Sequence, residues 1–415
     1  MNLWLVSTAE QTVVDGAKST RFINIANEAL RRGHRVTYFA STFKHNTKVQ
    51  RYEQDTVVEV QERYRLIFLR SLAYRRNVSP TRMYSHYAFA KYLVAHFEQM
   101  DERPDLVYLG YPPVSLGYEV TAWCQREQIP CIVDIIDPWP DMFLRKFSAL
   151  PAPIGRLLLA PMFGRARKTF SQATGIAAIS QEYIDWARSY APGIRHAACF
   201  YPAVDYAQMR EEIRQHRGTA PRPARPLRVT YAGSLGWSYD LTTILEAAAL
   251  LERERGDAVH FEIAGAGEQA SAIQQYADQH ANLTFHGRLS KDALMRVYAA
   301  CHLGTTQHIK GASQSVTYKL FDLLACGLPI LNSLESEMQH LIVDNEVGLH
   351  NDPGDARQLA DNICRFLDEP DLLDRFAANA HRLTAAQGDS AVVYGRLLDY
   401  VERLALGTAK DSVAG

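Results

Sequence analysis

The sequence predicts an α/β protein built from two doubly wound, Rossmann-like parallel sheets, and three observations carry that prediction. Short β-rich runs alternate with helical patterns along the chain. The alternation starts afresh at Arg228, after a polar stretch that contains prolines. The length, 415 residues, is too great for one hydrophobic core and sufficient for two domains of ordinary size. With 47% apolar and 22% charged residues, the composition excludes collagen-like, coiled-coil and disordered chains.

In the first half, strands are expected at Leu3–Ser7, Arg35–Ala40, Leu106–Leu109, Cys131–Ile136 and Gly175–Ile179, with helices near 20–32, 80–100, 114–127 and 155–172 between them. The second series runs through Arg228–Ala232, His260–Ala264, Leu283–Phe285, Cys301–Thr305 and Leu328–Leu331. After Asp355 the pattern is helical, near 355–367, 370–385 and 390–406. The prolines of Arg217–Pro226 lack amide donors and suit an exposed connector. These boundaries predict a first domain over 1–205, a linker over 206–227, a second domain over 228–385, and a C-terminal helix and tail over 386–415 returning to the first domain. Two such sheets facing one another would leave a cleft at the carboxyl ends of their strands, where ligands of this class bind.

The six cysteines are scattered without a CxxC pair, so neither a zinc site nor a disulfide framework is expected and a reducing compartment fits. No apolar run approaches the roughly 18 residues of a spanning helix, and the first residues lack the pattern of a signal peptide. The expectation is a cytoplasmic chain. Its net charge of −1 conceals an asymmetry: residues 1–200 hold 25 Lys/Arg against 18 Asp/Glu, and residues 201–415 hold 20 against 28. The two halves are therefore expected to meet different partners.

Several loops have the composition of ligand cradles. Val14-Asp15-Gly16-Ala17-Lys18 precedes an amphipathic helix, where glycine lets a ligand approach the backbone and a helix dipole favours an anion. The plainer alternative is a tight turn. Tyr231-Ala-Gly-Ser-Leu-Gly236 joins a strand to a helix and suits a diphosphate, through backbone amides and the Ser234 hydroxyl. Ile263-Ala-Gly-Ala-Gly-Glu-Gln-Ala270 matches a dinucleotide fingerprint only superficially, since no acidic residue follows at the right distance after a second strand. The most informative stretch runs from Lys310 to Ile330. There a polar loop enters a helix carrying Gln314, Ser315, Thr317, Lys319 and Asp322 in its first turns. Lys319 and Asp322 are three apart and share a face, so an ammonium and a carboxylate could meet a phosphate and a ribose diol. The alternative is a surface ion pair contributing under roughly 1 kcal/mol.

With these residues in place, the chain resembles glycosyltransferases of the GT-B fold, retaining family 4. The resemblance lies in Gly16, Arg31-Arg-Gly-His-Arg-Val-Thr37, Tyr231–Gly236, Ile263–Glu268, Leu283-Thr-Phe-His-Gly-Arg288 and Leu320-Phe-Asp-Leu-Leu-Ala-Cys-Gly-Leu-Pro-Ile330. Asp134-Ile-Ile-Asp-Pro-Trp-Pro-Asp141 is similar to a motif of bacterial O-antigen N-acetylfucosamine transferases. The resemblance implies that backbone near Gly16, Ser234 and Leu235 meets the donor diphosphate, and that Arg288 borders the nucleobase. It places Gln314 and Asp322 where the family has paired glutamates, the first on the donor sugar and the second on the ribose, with Thr317 between them. Two departures stand out. Gln314 lacks the charge of a glutamate, and Leu235–Asp240 lacks the cations many relatives place at the diphosphate. Lys319, Arg288 and Lys310 are the available replacements, and Lys319 is favoured among them.

Retention, as the family implies, lets the leaving phosphate take the acceptor's proton and removes the need for a glycosidase-like carboxylate pair. Neither a metal nor a cofactor is expected beyond the nucleotide-diphosphate sugar as co-substrate. Asp137 is expected on the acceptor side, orienting the incoming hydroxyl or acting as its base, its rival role being a turn cap before Pro138. Trp139 would wall a sugar or fill the core. His286 and His308 receive no catalytic role.

Residues 63–97 hold seven Lys/Arg and no acid, interleaved with aromatics, and 142–181 hold six basic residues and no acid. Such surfaces attach to anionic headgroups, which points to a peripheral protein of the inner membrane face acting on a lipid-linked saccharide. A solvated surface is the alternative. No nucleic-acid module is recognisable. The expected activity is therefore transfer of a sugar in bacterial surface polysaccharide or glycolipid synthesis. A sugar-nucleotide epimerase and a non-catalytic nucleotide-sugar-binding scaffold are the alternatives.

Overall fold

The computed structural model describes residues 1–77, 79–144, 152–218 and 225–413. They divide into two compact units, Met1–Tyr201 with Val393–Gly415, and Pro202–Val392.

The strands of the first unit are β1 (Asn2–Val6), β2 (Arg35–Ser41), β3 (Phe43–Lys44), β4 (Val49–Gln50), β5 (Thr56–Gln61), β6 (Tyr64–Leu69), β7 (Leu106–Tyr111), β8 (Cys131–Ile135), β9 (Gly175–Ala178) and β10 (Ala197–Cys199). Eight form one sheet in the order β10-β9-β8-β7-β1-β2-β6-β5, and β3 pairs with β4 separately. All pairings of the large sheet are parallel except β5 with β6. Central strands such as β1 and β7 read as nearly continuous apolar runs because helices cover both faces. Trp4 on β1 anchors one face, its ring 5.0 Å from Phe39, 4.9 Å from Phe97 and 6.0 Å from Trp123. On the other face, Arg21 and Asp134 form a fully buried ion pair, Nε to Oδ2 at 2.6 Å and Nη2 to Oδ1 at 2.9 Å, while Arg21 Nη1 donates to the Phe200 carbonyl at 2.9 Å.

The strands of the second unit are β11 (Leu227–Ser234), β12 (Val259–Ala266), β13 (Leu283–Phe285), β14 (Leu303–Thr306), β15 (Ile330–Asn332) and β16 (Gly348–His350). They form an all-parallel sheet in the order β13-β12-β11-β14-β15-β16. Its core joins Val229, Phe261 and Ile263 to Ala247, Leu251 and Phe366 of flanking helices.

The structure departs from the sequence expectations in four places. The run expected to be a charged aromatic surface contains β6, preceded by β5, and the expected helix over 155–172 is two helices, Ala152–Leu158 and Ala160–Gln172, with Pro161 in the first turn of the second. Tyr206–Arg217, expected as linker, is a helix capped by Asp205, whose side chain accepts from the Gln208 N–H at 2.9 Å. The short strands β10 and β16, each at the edge of its sheet, were not anticipated. Residues 219–224 of the expected linker lie outside the described residues.

Candidate functional site

In the second unit, β11 ends at Tyr231–Ser234, and the helix Tyr318–Ala325 begins behind the polar loop. The cap residue of that helix, Thr317, does not cap it with its side chain; its hydroxyl lies 3.5 Å from Met338 Sδ. Helix N-termini favour anions through their dipole.

Lys319 stands in the first turn. Its ammonium donates to Tyr231 Oη at 2.9 Å and lies 4.1 Å from the centroid of the Tyr231 ring and 3.9 Å from that of Tyr239. Tyr231 Oη in turn donates to the Ser234 carbonyl at 2.6 Å. Burial pulls the Lys319 amine down to about 7, against the opposing charge of Asp322. Gly233 makes room for this side chain: a β-carbon there would fall 2.5 Å from Lys319 Cε and 2.7 Å from Nζ.

Asp322 lies one turn on. Burial pushes its carboxyl up to about 6, with Lys319 and Lys291 pulling the other way. Among the described residues it accepts no hydrogen bond and has no ion-pair partner within 4 Å, so the surface pair with Lys319 is not formed. Gln314 Oε1 is buried without a partner. His308 is fully buried, its ring 4.9 Å from that of Tyr239, and neither ring nitrogen has a partner of normal hydrogen-bond geometry.

One expectation for this unit changes, and two others gain a structural setting. The N–H of Leu235 donates to the Ala266 carbonyl at 3.0 Å and its side chain is wholly buried, so this residue packs the loop and has no free amide for a diphosphate. The superficial dinucleotide match has a packing cause: a β-carbon at Gly265 would lie 1.9 Å from Gly233 O, and one at Gly267 2.5 Å from the Leu235 carbonyl carbon. Arg288 is exposed on the loop after β13 and pairs with no carboxylate among the described residues. The sequence did not single out Tyr231 and Tyr239 as the walls around Lys319. Tyr231 alternates inward on β11 and reads there as core.

In the first unit, the anion site expected at Gly16 is already satisfied internally. Gly16 ends a 3₁₀ turn over Val13–Asp15 with φ of 80°, and its N–H donates to the Val13 carbonyl at 3.1 Å. The following helix, Arg21–Arg31, has its N-terminus occupied by Glu10, whose carboxylate accepts from the Phe22 N–H at 3.0 Å, and by Thr20, which accepts from Ile23 N–H at 3.4 Å. Asp15 binds Arg51 at 2.7 Å and Lys44 at 2.8 Å; against the burial that would raise it, these partners hold its carboxyl well below the usual range.

Asp137 follows β8 and lines a recess of about 170 Å³ at the carboxyl ends of the central strands, together with Ser7, Ser41, Ser71, Arg82 and His86. Burial pushes its carboxyl up to about 6, with Arg82 opposing. Trp139 is 5% exposed and packs edge-on to Phe143 at 4.5 Å, so it is mainly a core residue, with one edge on the recess.

The basic aromatic stretch divides. Tyr64, Phe68, Tyr74, Phe89 and Phe97 are core, and Arg63, Arg65 and Lys91 pair with Glu62, Glu102 and Glu119. Arg75 and Arg76 remain exposed with no carboxylate partner among the described residues, beside exposed Leu72, Tyr84 and Tyr87. In the second stretch, Leu157 and Leu158 are exposed, and Arg145 and Lys146 lie outside the described residues.

Residues 212–383 match the family model of glycosyl transferases group 1. This group 1 segment contains Ser234, Gln314, Lys319, Asp322 and the tyrosines around Lys319. Alpha-D-kanosaminyltransferase of Streptomyces kanamyceticus is 26% identical over 187 residues, covering 44% of this chain and 46% of that protein. The chain thus spans about half the length of this curated relative. Among solved structures, sucrose-phosphate synthase from Thermosynechococcus elongatus superposes with a TM-score of 0.70 at 15% identity over 97% of this chain and 98% of that one. Anabaena Alr3699/HepE in complex with UDP gives 0.67 at 13% identity over 97% and 99%. WaaG, a glycosyltransferase involved in lipopolysaccharide biosynthesis, gives 0.63 at 14% identity over 95% and 98%. These likenesses establish the fold as GT-B, with one parallel-sheet α/β domain on each side of the group 1 boundary. Among the described residues no group of three or more His, Cys, Asp or Glu could hold a metal ion. No helix among them is long and apolar enough to cross a membrane.

Proposed function

We propose that this chain is a retaining glycosyltransferase that moves a sugar from a nucleoside-diphosphate donor to a saccharide acceptor. The observation carrying this reading is Lys319, a half-buried ammonium held by Tyr231 and Tyr239 in the first turn of a helix inside the group 1 segment. A diphosphate gains charge on the oxygen that joined it to the sugar as the glycosidic bond breaks, and a preorganised cation in a partly dry site stabilises that charge strongly. Lys319 supplies the cation that the Leu235–Asp240 loop lacks. The Ser234 hydroxyl and the positive end of the helix dipole favour the phosphate oxygens, Asp322 accepts from the ribose hydroxyls, and Gln314 offers its unpartnered carbonyl to the donor sugar. Arg288 borders the base.

The acceptor occupies the recess of the first unit, where Asp137 accepts a hydrogen bond from the attacking hydroxyl. The hydroxyl attacks from the face the phosphate leaves, and the departing phosphate oxygen takes its proton. No step needs a metal ion. The acceptor is a lipid-linked saccharide of a surface polysaccharide or glycolipid, with Arg75, Arg76, Tyr84 and Tyr87 resting on an anionic membrane. Three likenesses support this reading: to a kanosaminyltransferase in sequence, to a UDP complex in fold, and to a glycosyltransferase of lipopolysaccharide biosynthesis in fold.

Incubation with a panel of UDP-, dTDP- and GDP-sugars tests the reading. Slow donor hydrolysis with the anomer retained supports it. Isomerisation of the donor would make the protein an epimerase, and binding without turnover a scaffold.

A further inference from the structure

We infer that the recess beside Asp137 receives an acceptor saccharide bearing a phosphate, and that Arg82, backed by Lys48, is the counter-cation of that phosphate. The inference rests on the transferase reading and specifies its acceptor.

Arg82 lies in the first turn of the helix Pro80–Gln99 and is half-buried, its guanidinium 4.9 Å from the centroid of Trp139 and 5.7 Å from that of Tyr74. Its Nε donates to His86 Nε2 at 3.4 Å and its Nη1 to the Asn77 carbonyl at 2.5 Å. Among the described residues no carboxylate lies within 4 Å of it. A guanidinium withdrawn from water without an anion is unfavourable, so its position calls for a negative partner. Lys48 approaches the same residue, its ammonium donating to Asn77 Oδ1 at 2.6 Å, and it too has no carboxylate within 4 Å among the described residues. Burial and the charge of Arg82 both lower the Lys48 amine; Arg82 is lowered by burial too, and the charge of Asp137, beyond ion-pair distance, only partly offsets this. Arg82 stands on the recess wall with Lys48 behind it, held by His45 and Asn77, and the summed charge favours a dianion over a singly charged group.

The rest of the recess suits a sugar phosphate. His86 Nδ1 and Trp139 Nε1 are buried polar atoms without partners, on residues 9% and 5% exposed. Burial keeps His45 at about 4 and His86 at about 3, so both rings are neutral near pH 7 and add no repulsion to the cations. Ser7, Ser41 and Ser71 bring hydroxyls to the same wall. Asp137 lines the recess more than 4 Å from Arg82, so a ligand with a phosphate at one end and a hydroxyl at the other answers both charges.

The test is calorimetric titration of the whole chain with glucose, glucose 1-phosphate, glucose 6-phosphate and inorganic phosphate. At least one phosphate ester should bind tenfold or more tighter than glucose. Preference for the 1-phosphate assigns the anion to the anomeric carbon, where a lipid linker attaches; preference for the 6-phosphate assigns a soluble sugar phosphate. Arg82→Gln and Lys48→Gln should each cut the preference to threefold or less. Equal binding of glucose and both esters, or a preference that survives in both cation variants, overturns the inference. Sugar-nucleotide hydrolysis by the same preparations reports separately on the transferase reading: if it persists while the phosphate preference is absent, only the acceptor assignment falls.

Discussion

A β-carbon on Gly233 would lie 2.5 Å from Cε of Lys319. The strand end and the helix start are thus fitted to each other, with the lysine lying across a residue that has no side chain. Gly233→Ala should push the ammonium out from between Tyr231 and Tyr239. Turnover of the sugar nucleotide should then fall about 10- to 100-fold, approaching the loss of about 10²-fold expected for Lys319→Ala. Steady-state donor hydrolysis by the two variants checks this; wild-type rates in both would remove Lys319 from the site.

The same lysine should give stability and donor binding opposite pH dependences. Its folded pKa of about 7 lies below the 10.5 of the free amine. Between those values the unfolded chain holds a proton that the folded chain has released, so this residue's contribution to stability rises with pH across that window and its cost is fully present below pH 7. Donor binding needs the ammonium and should weaken as pH rises through 7. Thermal melts and sugar-nucleotide titrations from pH 6 to 9 should show both slopes, and Lys319→Met should flatten both.

The buried pair of Arg21 and Asp134 should dominate the stability of the first unit. Asp134→Ala leaves a guanidinium without its anion and should cost about 3–5 kcal/mol. Chemical denaturation followed by tryptophan fluorescence measures it, since Trp4, Trp123 and Trp139 all belong to that unit.

Gly267→Ala should lower stability by about 2–4 kcal/mol, because the new methyl meets the Leu235 backbone at 2.5 Å and φ is 157°. Calorimetry of the variant distinguishes this packing role from a dinucleotide-binding role, which would leave the melting temperature near that of the wild type.

Arg75→Glu with Arg76→Glu should release the protein from anionic vesicles. Each exposed cation contributes about 1 kcal/mol near such a surface, and binding should fall steeply with added salt. Cosedimentation at low and high ionic strength checks this, and salt-insensitive binding would count against a peripheral membrane role.

Much of the fold was legible because parallel strands buried on both faces leave continuous apolar runs, as in Leu3–Val6 and Leu106–Leu109. Of the four edge strands of the two main sheets only Leu283–Phe285 was legible. Thr56–Gln61 alternates half-buried with exposed positions, and Gly348–His350 is only three residues long. At the site, the loop after Lys310 stood out through its density of polar residues ahead of an apolar helix. The aromatic walls of Lys319 did not, because a tyrosine on a strand has the same pattern whether it packs a core or faces a cation. Gly16 misled because a glycine before a helix signals a turn equally well when a carboxylate from elsewhere, here Glu10, fills the helix end. The charged run over 63–97 misled because carboxylates outside it, such as Glu102 and Glu119, neutralise part of it.

The final helix, Ser390–Val413, has a consequence for anyone dissecting the chain. Tyr400 donates to the Ile176 carbonyl at 3.1 Å, and Tyr400 and Leu404 fill the space that Gly175 leaves open. Strand β9, one place in from the sheet edge, therefore acquires this covering only from sequence more than two hundred positions downstream. A fragment ending near Tyr201 would expose that apolar flank and aggregate, whereas a fusion of Tyr201 to Val393 through a short flexible bridge should yield a folded, independently soluble first unit. In a growing polypeptide the first unit begun is the last one finished.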